Sequence, residues 1–151
     1  MTTRPATPDD RAFVLALADR LVSFDVPAWR SKAVLADGDR RALAGWFDRT
    51  PAGEAMLIAE LDGRPAGCAY LMTLVDYFDE QPHAHLSVLA VTAATEGRGV
   101  GSALIDASIA WAKALKSNRL TLSAFVTNMR ARGFYERRGF GGETIRYVLP
   151  L

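Results

Sequence analysis

The sequence predicts an α+β fold, in which a mostly antiparallel sheet is crossed by one βαβ unit and covered by helices. Three observations favour this fold. Leu86–Val91 is a short apolar run with β-branched members, which is typical of a strand covered on both faces. Residues 97–101 hold three glycines in five positions, which suits a turn better than a helix interior. Residues 102–115 then repeat apolar side chains at helical spacing.

The elements before the central strand follow from caps, periodicity and turn residues. Thr7 followed by Pro8 is a helix-start signal, and the stripe of Phe13, Leu17 and Leu21 continues it. Asp62-Gly63 separates two apolar runs and predicts a hairpin turn. The predicted elements of this half are a strand over 2–6, helices over 9–22 and 39–47, and strands over 55–61 and 65–74.

The elements after the central strand alternate between helix and strand. The helix over 102–115 has lysines near its end, where cations are favourable. Gly139 is predicted to terminate a short helix that begins at Asn128. The predicted elements of this half are the helix over 102–115, a strand over 119–126, a helix over 128–137 and a closing strand over 143–149.

Composition limits the function classes. A chain of 151 residues, half of them hydrophobic, is predicted to form a single domain over 1–151. Eighteen basic and seventeen acidic residues give no support for a nucleic-acid or membrane partner. Cys68 is the only cysteine, so no disulfide within the chain is expected, and neither is a metal site. The chain has no apolar leader and no apolar run of 18 residues, so we expect a cytoplasmic protein.

The glycine turn predicts a binding site for an anion. A strand, a glycine-rich turn and a helix N-terminus together direct main-chain N–H groups at a ligand, most often a phosphate. Gly101 is followed by Ser102-Ala103, which fits neither a P-loop nor the dinucleotide-binding fingerprint. A glycine-rich turn without a ligand remains the alternative.

Two motifs resemble the GNAT superfamily of acyl-CoA-dependent N-acyltransferases. LAVTAATEGRGVGSAL, Leu89–Leu104, is similar to the signature (Arg/Gln)-x-x-Gly-x-(Gly/Ala) with its preceding Leu-x-Val. NMRARGFYERRGF, Asn128–Phe140, is similar to Asn-x-x-Ala-x-x-Phe-Tyr-x-x-x-Gly-Phe. The resemblance implies a twisted, mostly antiparallel sheet of six to seven strands with about four helices, and acetyl-CoA as co-substrate. Glu96 departs from the signature, and its charge would oppose a pyrophosphate unless a cation such as Arg98 compensates.

The resemblance also implies roles for individual residues. Tyr135 would be the general acid beside the thioester sulfur, and the amide of Val91 would polarise the thioester carbonyl. His85 resembles a proton-relay histidine of arylalkylamine-acetylating members, with His83, Asp76, Asp79 and Glu80 as alternative bases. Asn128 would contact the pantetheine arm or cap its helix. The coenzyme-binding residues implied are Leu89, Ala90, Val91, Gly97, Arg98, Gly99, Val100, Gly101, Ser102, Ala103 and Asn128.

The acceptor side is predicted from residue chemistry. Tyr77 and Phe78 offer apolar surface, and Asp76 offers a negative charge for an ammonium group. These features favour a small-molecule amine as the acceptor over a protein, and the resemblance leaves a homodimer open. Two alternatives are carried forward: a non-catalytic acyl-CoA-binding module, and a nucleotide-binding fold that does not use coenzyme A.

Overall fold

A five-stranded sheet runs through the molecule in the order β1-β2-β3-β4-β5. The structure is a computed structural model that describes residues 1–151. Its strands are β1 (Thr2–Pro5), β2 (Ala55–Leu61), β3 (Arg64–Val75), β4 (Pro82–Val91) and β5 (Leu120–Leu122). Neighbouring strands are antiparallel except β4 and β5, which are parallel. The mostly antiparallel sheet with one βαβ crossover confirms the predicted fold class.

Four α-helices cover the two faces of the sheet. They are α1 (Arg11–Ala16), α2 (Lys32–Arg49), α3 (Val100–Ala114) and α4 (Met129–Arg137), and α1 is flanked by 3-10 helices over Pro8–Asp10 and Leu17–Val22. α3 connects β4 to β5 and therefore forms the crossover. None of the helices combines the length and apolarity that a bilayer crossing demands.

The turn and cap residues on which the prediction depended adopt the expected conformations. Asp62 and Gly63 have φ of 54° and 74°, which is the left-handed pair that a tight hairpin turn requires. Gly139 has φ of 88° just after α4. Thr7 precedes the first helical turn, and its amide donates to the Asp10 carboxylate at 2.7 Å.

Two predicted strands need correction. No strand forms over 143–149, so the sheet has five strands and not six to seven. Only Thr144–Tyr147 of this segment alternates polar and apolar residues, and all of the segment is exposed and pairs with no other strand. β5 covers only Leu120–Leu122 of the predicted 119–126, because its pairing with β4 ends there. A strand exists only where a partner edge satisfies its main-chain groups.

α2 is also longer than predicted. It begins at Lys32 and not near Asp39, and the Ser31 hydroxyl accepts a hydrogen bond from the Val34 amide at 3.4 Å. Burial of Leu43 and Trp46 against the sheet stabilises a helix whose interior glycines lower its intrinsic propensity.

The hydrophobic core has two layers, one on each face of the sheet. One layer packs α1 and α2 against Ile58 and Tyr70, and the other packs Val100 and Leu104 of α3 against Leu71. β4 contributes to both layers, since its side chains alternate between the two faces. The strand is therefore held from both sides close to the point where the glycine turn begins.

Candidate active site

The site begins where β4 and β5 separate. The two strands pair only over Ala84–Leu86 and Leu120–Leu122. Ser87 is an extra residue on β4, because the register with β3 shifts between Leu86 and Val88. Beyond this bulge, β4 has no partner strand on its β5 side. An extended ligand therefore finds main-chain donors and acceptors along this part of β4.

A cavity of about 290 Å³ lies at this separation. β4 and the segment after β5 form two of its walls, α4 forms a third, and the helices of the N-terminal half close it. The lining residues are Arg20, Leu21, Phe24, Asp39, Leu86, Ser87, Val88, Leu89, Ser123, Ala124, Phe125, Asn128, Ala131 and Tyr135. Mostly apolar walls with a few convergent polar groups are typical of small-molecule sites.

The glycine turn presents free main-chain donors at the start of α3. Gly97 and Gly99 have φ of 74° and 83°, which only glycine adopts without strain. The Arg98 amide donates to the Thr95 carbonyl at 3.2 Å, and the Ala103 amide donates to the Gly99 carbonyl at 3.0 Å. The amides between them, residues 99–102, donate to no group of the chain. These four donors at a helix N-terminus suit an anionic ligand.

Close packing holds the turn against α4. A Cβ atom at Gly101 would lie 3.4 Å from the Phe134 ring, so the first turn of α3 is within van der Waals distance of α4. The Arg98 guanidinium, which we expected to compensate Glu96, instead pairs with Asp62 at 3.2 Å.

Two predicted residues reach the cavity from the N-cap and the body of α4. Asn128 caps the helix through its side-chain oxygen, which accepts a hydrogen bond from the Ala131 amide at 3.1 Å. Tyr135 packs between Phe134 and Phe140, at ring-centroid distances of 5.4 and 5.8 Å. Burial raises the pKa of the Tyr135 phenol to about 12, so the phenol keeps its proton throughout the physiological range.

The two histidines of β4 meet a threonine of β5. His85 Nδ1 lies 2.9 Å from Thr121 Oγ1, and His83 Nε2 lies 3.1 Å from the same hydroxyl. Burial, and to a lesser extent the nearby His83, lower the pKa of the His85 imidazole. Neither ring lines the cavity, so His85 stands beside it at the start of the same strand.

The predicted acceptor residues lie apart from the cavity. Tyr77 and Phe78 form the tip of the β3–β4 hairpin, where they are 88% and 87% exposed. Their rings contact each other edge to face at 5.2 Å. Asp76 accepts a hydrogen bond from the Phe78 amide at 2.8 Å and pairs with Arg119 at 3.1 Å. None of the three lines the cavity.

Sequence reasoning missed the contribution of the N-terminal helices. Arg20 and Phe24 reach the cavity from the end of the first helical segment, and Asp39 reaches it from α2. Burial raises the pKa of the Asp39 carboxyl. No local motif marks these residues, because they join the site only through packing of helices far from it in sequence. No cluster of three or more His, Cys, Asp or Glu side chains is placed to hold a metal ion.

Comparison with known proteins shows what this arrangement is similar to. The model of the acetyltransferase (GNAT) family matches residues 17–140. A mycothiol acetyltransferase from Propionibacterium freudenreichii subsp. shermanii is 35% identical over 104 residues, which are 69% of this chain and 32% of that protein. The chain therefore spans about a third of the length of this curated relative.

Solved structures share the whole architecture at low sequence identity. The aminoglycoside antibiotic 6'-N-acetyltransferase AAC(6')-IG from Acinetobacter haemolyticus superimposes with a TM-score of 0.71 and 20% identity, over 100% of this chain and 99% of that one. A ribosomal-protein-alanine N-acetyltransferase from Brucella melitensis biovar Abortus 2308 gives 0.72 and 17%, over 100% of both chains. Their named acceptors differ, so the common fold does not select an acceptor.

Proposed function

Since the chain belongs to the acetyltransferase (GNAT) family, we propose that it transfers an acetyl group from acetyl-CoA to a primary amine of a small molecule. The observation that carries this proposal is the set of four unpaired amides at residues 99–102, beside a strand whose edge opens into a cavity. The curated relative is named for mycothiol and not for a protein, which favours a small-molecule acceptor.

We propose that acetyl-CoA lies along the glycine turn and the free edge of β4. The amides of residues 99–102 would bind the pyrophosphate, with the rest of the turn, Gly97 to Ala103, shaping the site. The main chain of Leu89–Val91 would pair with the pantetheine arm as an added strand, and the Val91 amide would donate to the thioester carbonyl. Asn128 uses its oxygen as a helix cap, so its NH₂ group is free to donate to the pantetheine arm.

Tyr135 is proposed as the acid at the departing sulfur. A phenol with a pKa of about 12 is a weaker acid than a thiol, whose ordinary pKa is about 8.5. Tyr135 therefore stabilises the thiolate mainly by donating a hydrogen bond. The proton that finally neutralises the thiolate is balanced by the proton that the attacking amine loses.

The base is proposed to be His85. An amine attacks only as the neutral species, and a free ammonium has a pKa of about 10. The lowered pKa of His85 keeps its imidazole neutral at physiological pH, ready to take a proton directly or through ordered water. Asp39 would hold the ammonium of the incoming acceptor, because it lines the cavity and forms no ion pair within the chain.

The acceptor would occupy the apolar end of the cavity near Leu21 and Phe24. Tyr77, Phe78 and Asp76 remain predicted acceptor contacts. Because they sit at a hairpin tip outside the cavity lining, we propose that they contact only an acceptor long enough to extend beyond it.

The test is release of free thiol from acetyl-CoA across a panel of small amines, polyamines, aminoglycosides and peptide N-termini. We expect turnover with at least one small-molecule amine and none without an acceptor. Tight binding of coenzyme A with no turnover on any amine would support the non-catalytic binding module instead. Stabilisation by ATP or NAD but not by coenzyme A would support the nucleotide-binding fold.

A further inference from the structure

Glu96 is held by two arginines from different parts of the chain. Arg130, in the first turn of α4, places Nη2 2.8 Å from Glu96 Oε2. Arg20, in the 3-10 helix Leu17–Val22, donates to Glu96 Oε1. The hydrogen bond from Arg130 is the main reason why the pKa of the Glu96 carboxyl is lowered. Three segments therefore meet at the residue just before the glycine turn.

Both arginines have donors to spare. Arg20 lines the cavity, and its Nε atom is buried without a hydrogen-bond partner. Arg130 is 71% exposed although it is paired, and an exposed ion pair contributes little to stability. Breaking the ion pair between Arg130 and Glu96 therefore costs little free energy. The cluster has two positive charges and one negative charge, which leaves it cationic.

A phosphate can compete with a carboxylate for these guanidinium groups. Both accept paired N–H bonds from arginine in the same fork geometry, and the phosphates of the coenzyme together carry more charge than one carboxylate. Glu96 is three residues in sequence from the first of the four unpaired amides, so an anion bound at those amides would lie near the cluster. The carboxylate then competes with that anion for the same cations.

We propose that Glu96 is a stand-in anion, which holds Arg130 beside the turn until a phosphate group of the acyl coenzyme replaces it. Arg130 is then a phosphate ligand, and Glu96 weakens coenzyme binding while keeping the cation in place. Arg20 stays with Glu96 and keeps the displaced carboxylate away from the phosphate. This inference rests on the proposed function, since it names a further contact to the same coenzyme.

Calorimetry with coenzyme A tests the exchange through the effect of Glu96→Gln on the Kd. Competition by Glu96 predicts that this substitution tightens binding, whereas structural support by Glu96 predicts that it weakens binding. Glu96→Gln is expected to tighten binding about fivefold, since it frees Arg130 and removes a negative charge. Arg130→Gln is expected to weaken binding about tenfold, in the wild-type and in the Glu96→Gln background. Arg132→Gln, on the same helix, is the matched control and is expected to bind as the wild type does.

Dephospho-coenzyme A identifies the phosphate. If Arg130→Gln weakens binding of dephospho-coenzyme A as much as binding of coenzyme A, Arg130 contacts the diphosphate. If the substitution does not weaken binding of dephospho-coenzyme A, Arg130 contacts the 3′-phosphate. Thermal unfolding without ligand establishes that each variant is folded. If Glu96→Gln weakens binding as Arg130→Gln does, the ion pair is a structural strap and the inference is overturned. Unchanged binding by Arg130→Gln also overturns it, whereas a wild type that binds no coenzyme A contradicts the proposed function itself.

Discussion

His85 Nδ1 lies 2.9 Å from Thr121 Oγ1, and the two residues are register partners in the short parallel pairing of β4 with β5. His83 Nε2 approaches the same oxygen at 3.1 Å. A hydroxyl has one proton, and Thr121 Oγ1 also lies 3.4 Å from the Ala84 carbonyl, so the hydroxyl donates to at most one of the three groups. At least one of the two imidazoles therefore donates its N–H to Thr121 at the point where the two strands separate.

The surroundings of His85 predict how activity depends on pH. Burial and the nearby His83 both lower the pKa of His85, so its neutral form persists below the ordinary value of about 6.5. We therefore expect kcat/KM to fall, as His85 becomes protonated, only at pH values below about 6.5. His83→Gln removes the nearby charge, so the acid limb should move to higher pH, as measured in kcat/KM profiles from pH 4.5 to 8.

The matched variant for this experiment is His85→Gln. It should reduce kcat/KM about 100-fold and abolish the acid limb, since a general base contributes by at least that order. An acid limb that stays at the same pH in both variants would assign the titration to another group.

Tyr135→Phe is predicted to lower kcat about 100-fold with little change in stability. The ring packs between Phe134 and Phe140, and phenylalanine keeps those contacts while it removes the hydroxyl. Steady-state thiol release measures the rate, and thermal unfolding measures the stability. Tyr147→Phe is the control, because Tyr147 is exposed and lies outside the cavity. A loss below about threefold would remove Tyr135 from the acid role.

Gly99→Ala is predicted to weaken both the turn and coenzyme binding. Gly99 has φ of 83°, and a side chain in the left-handed region costs about 1–2 kcal/mol. Relief of that strain would reorient the unpaired amides that follow, so the Kd for coenzyme A should rise about tenfold. Unfolding curves and calorimetry measure the two effects. Gly141→Ala serves as the control, because nothing lies within 4 Å of a Cβ there and its φ is not positive.

Asp39→Asn is predicted to raise the KM for the acceptor amine about tenfold and to leave the KM for acetyl-CoA unchanged. The substitution keeps the shape of the side chain and removes the charge that would attract an ammonium, at a cost of about 1.4 kcal/mol. Asp37→Asn is the control on the same helix, since Asp37 pairs with Arg40 and does not line the cavity. Equal effects of the two substitutions would assign the change to the net charge of α2.

Elements with local signals were predicted from the sequence, and elements that need a partner were not. The Asp62-Gly63 turn and the start of α3 were predicted, because backbone preference and periodicity are properties of neighbouring residues. The predicted strand over 143–149 alternates polar and apolar residues in part, as strands do, but it pairs with no edge of the sheet. Alternation specifies which face of a strand is apolar, and only a neighbouring strand satisfies its main-chain hydrogen bonds.

The sequence by itself determined the glycine turn and the helix that follows it, because each depends on residues within one or two turns of chain. Only the tertiary structure decided the partners of these elements. Arg20 and Arg130 lie on opposite sides of Glu96 in sequence and meet it through packing of the first helical segment and α4. Ion pairs between distant segments depend on where helices dock, and no local pattern carries that information.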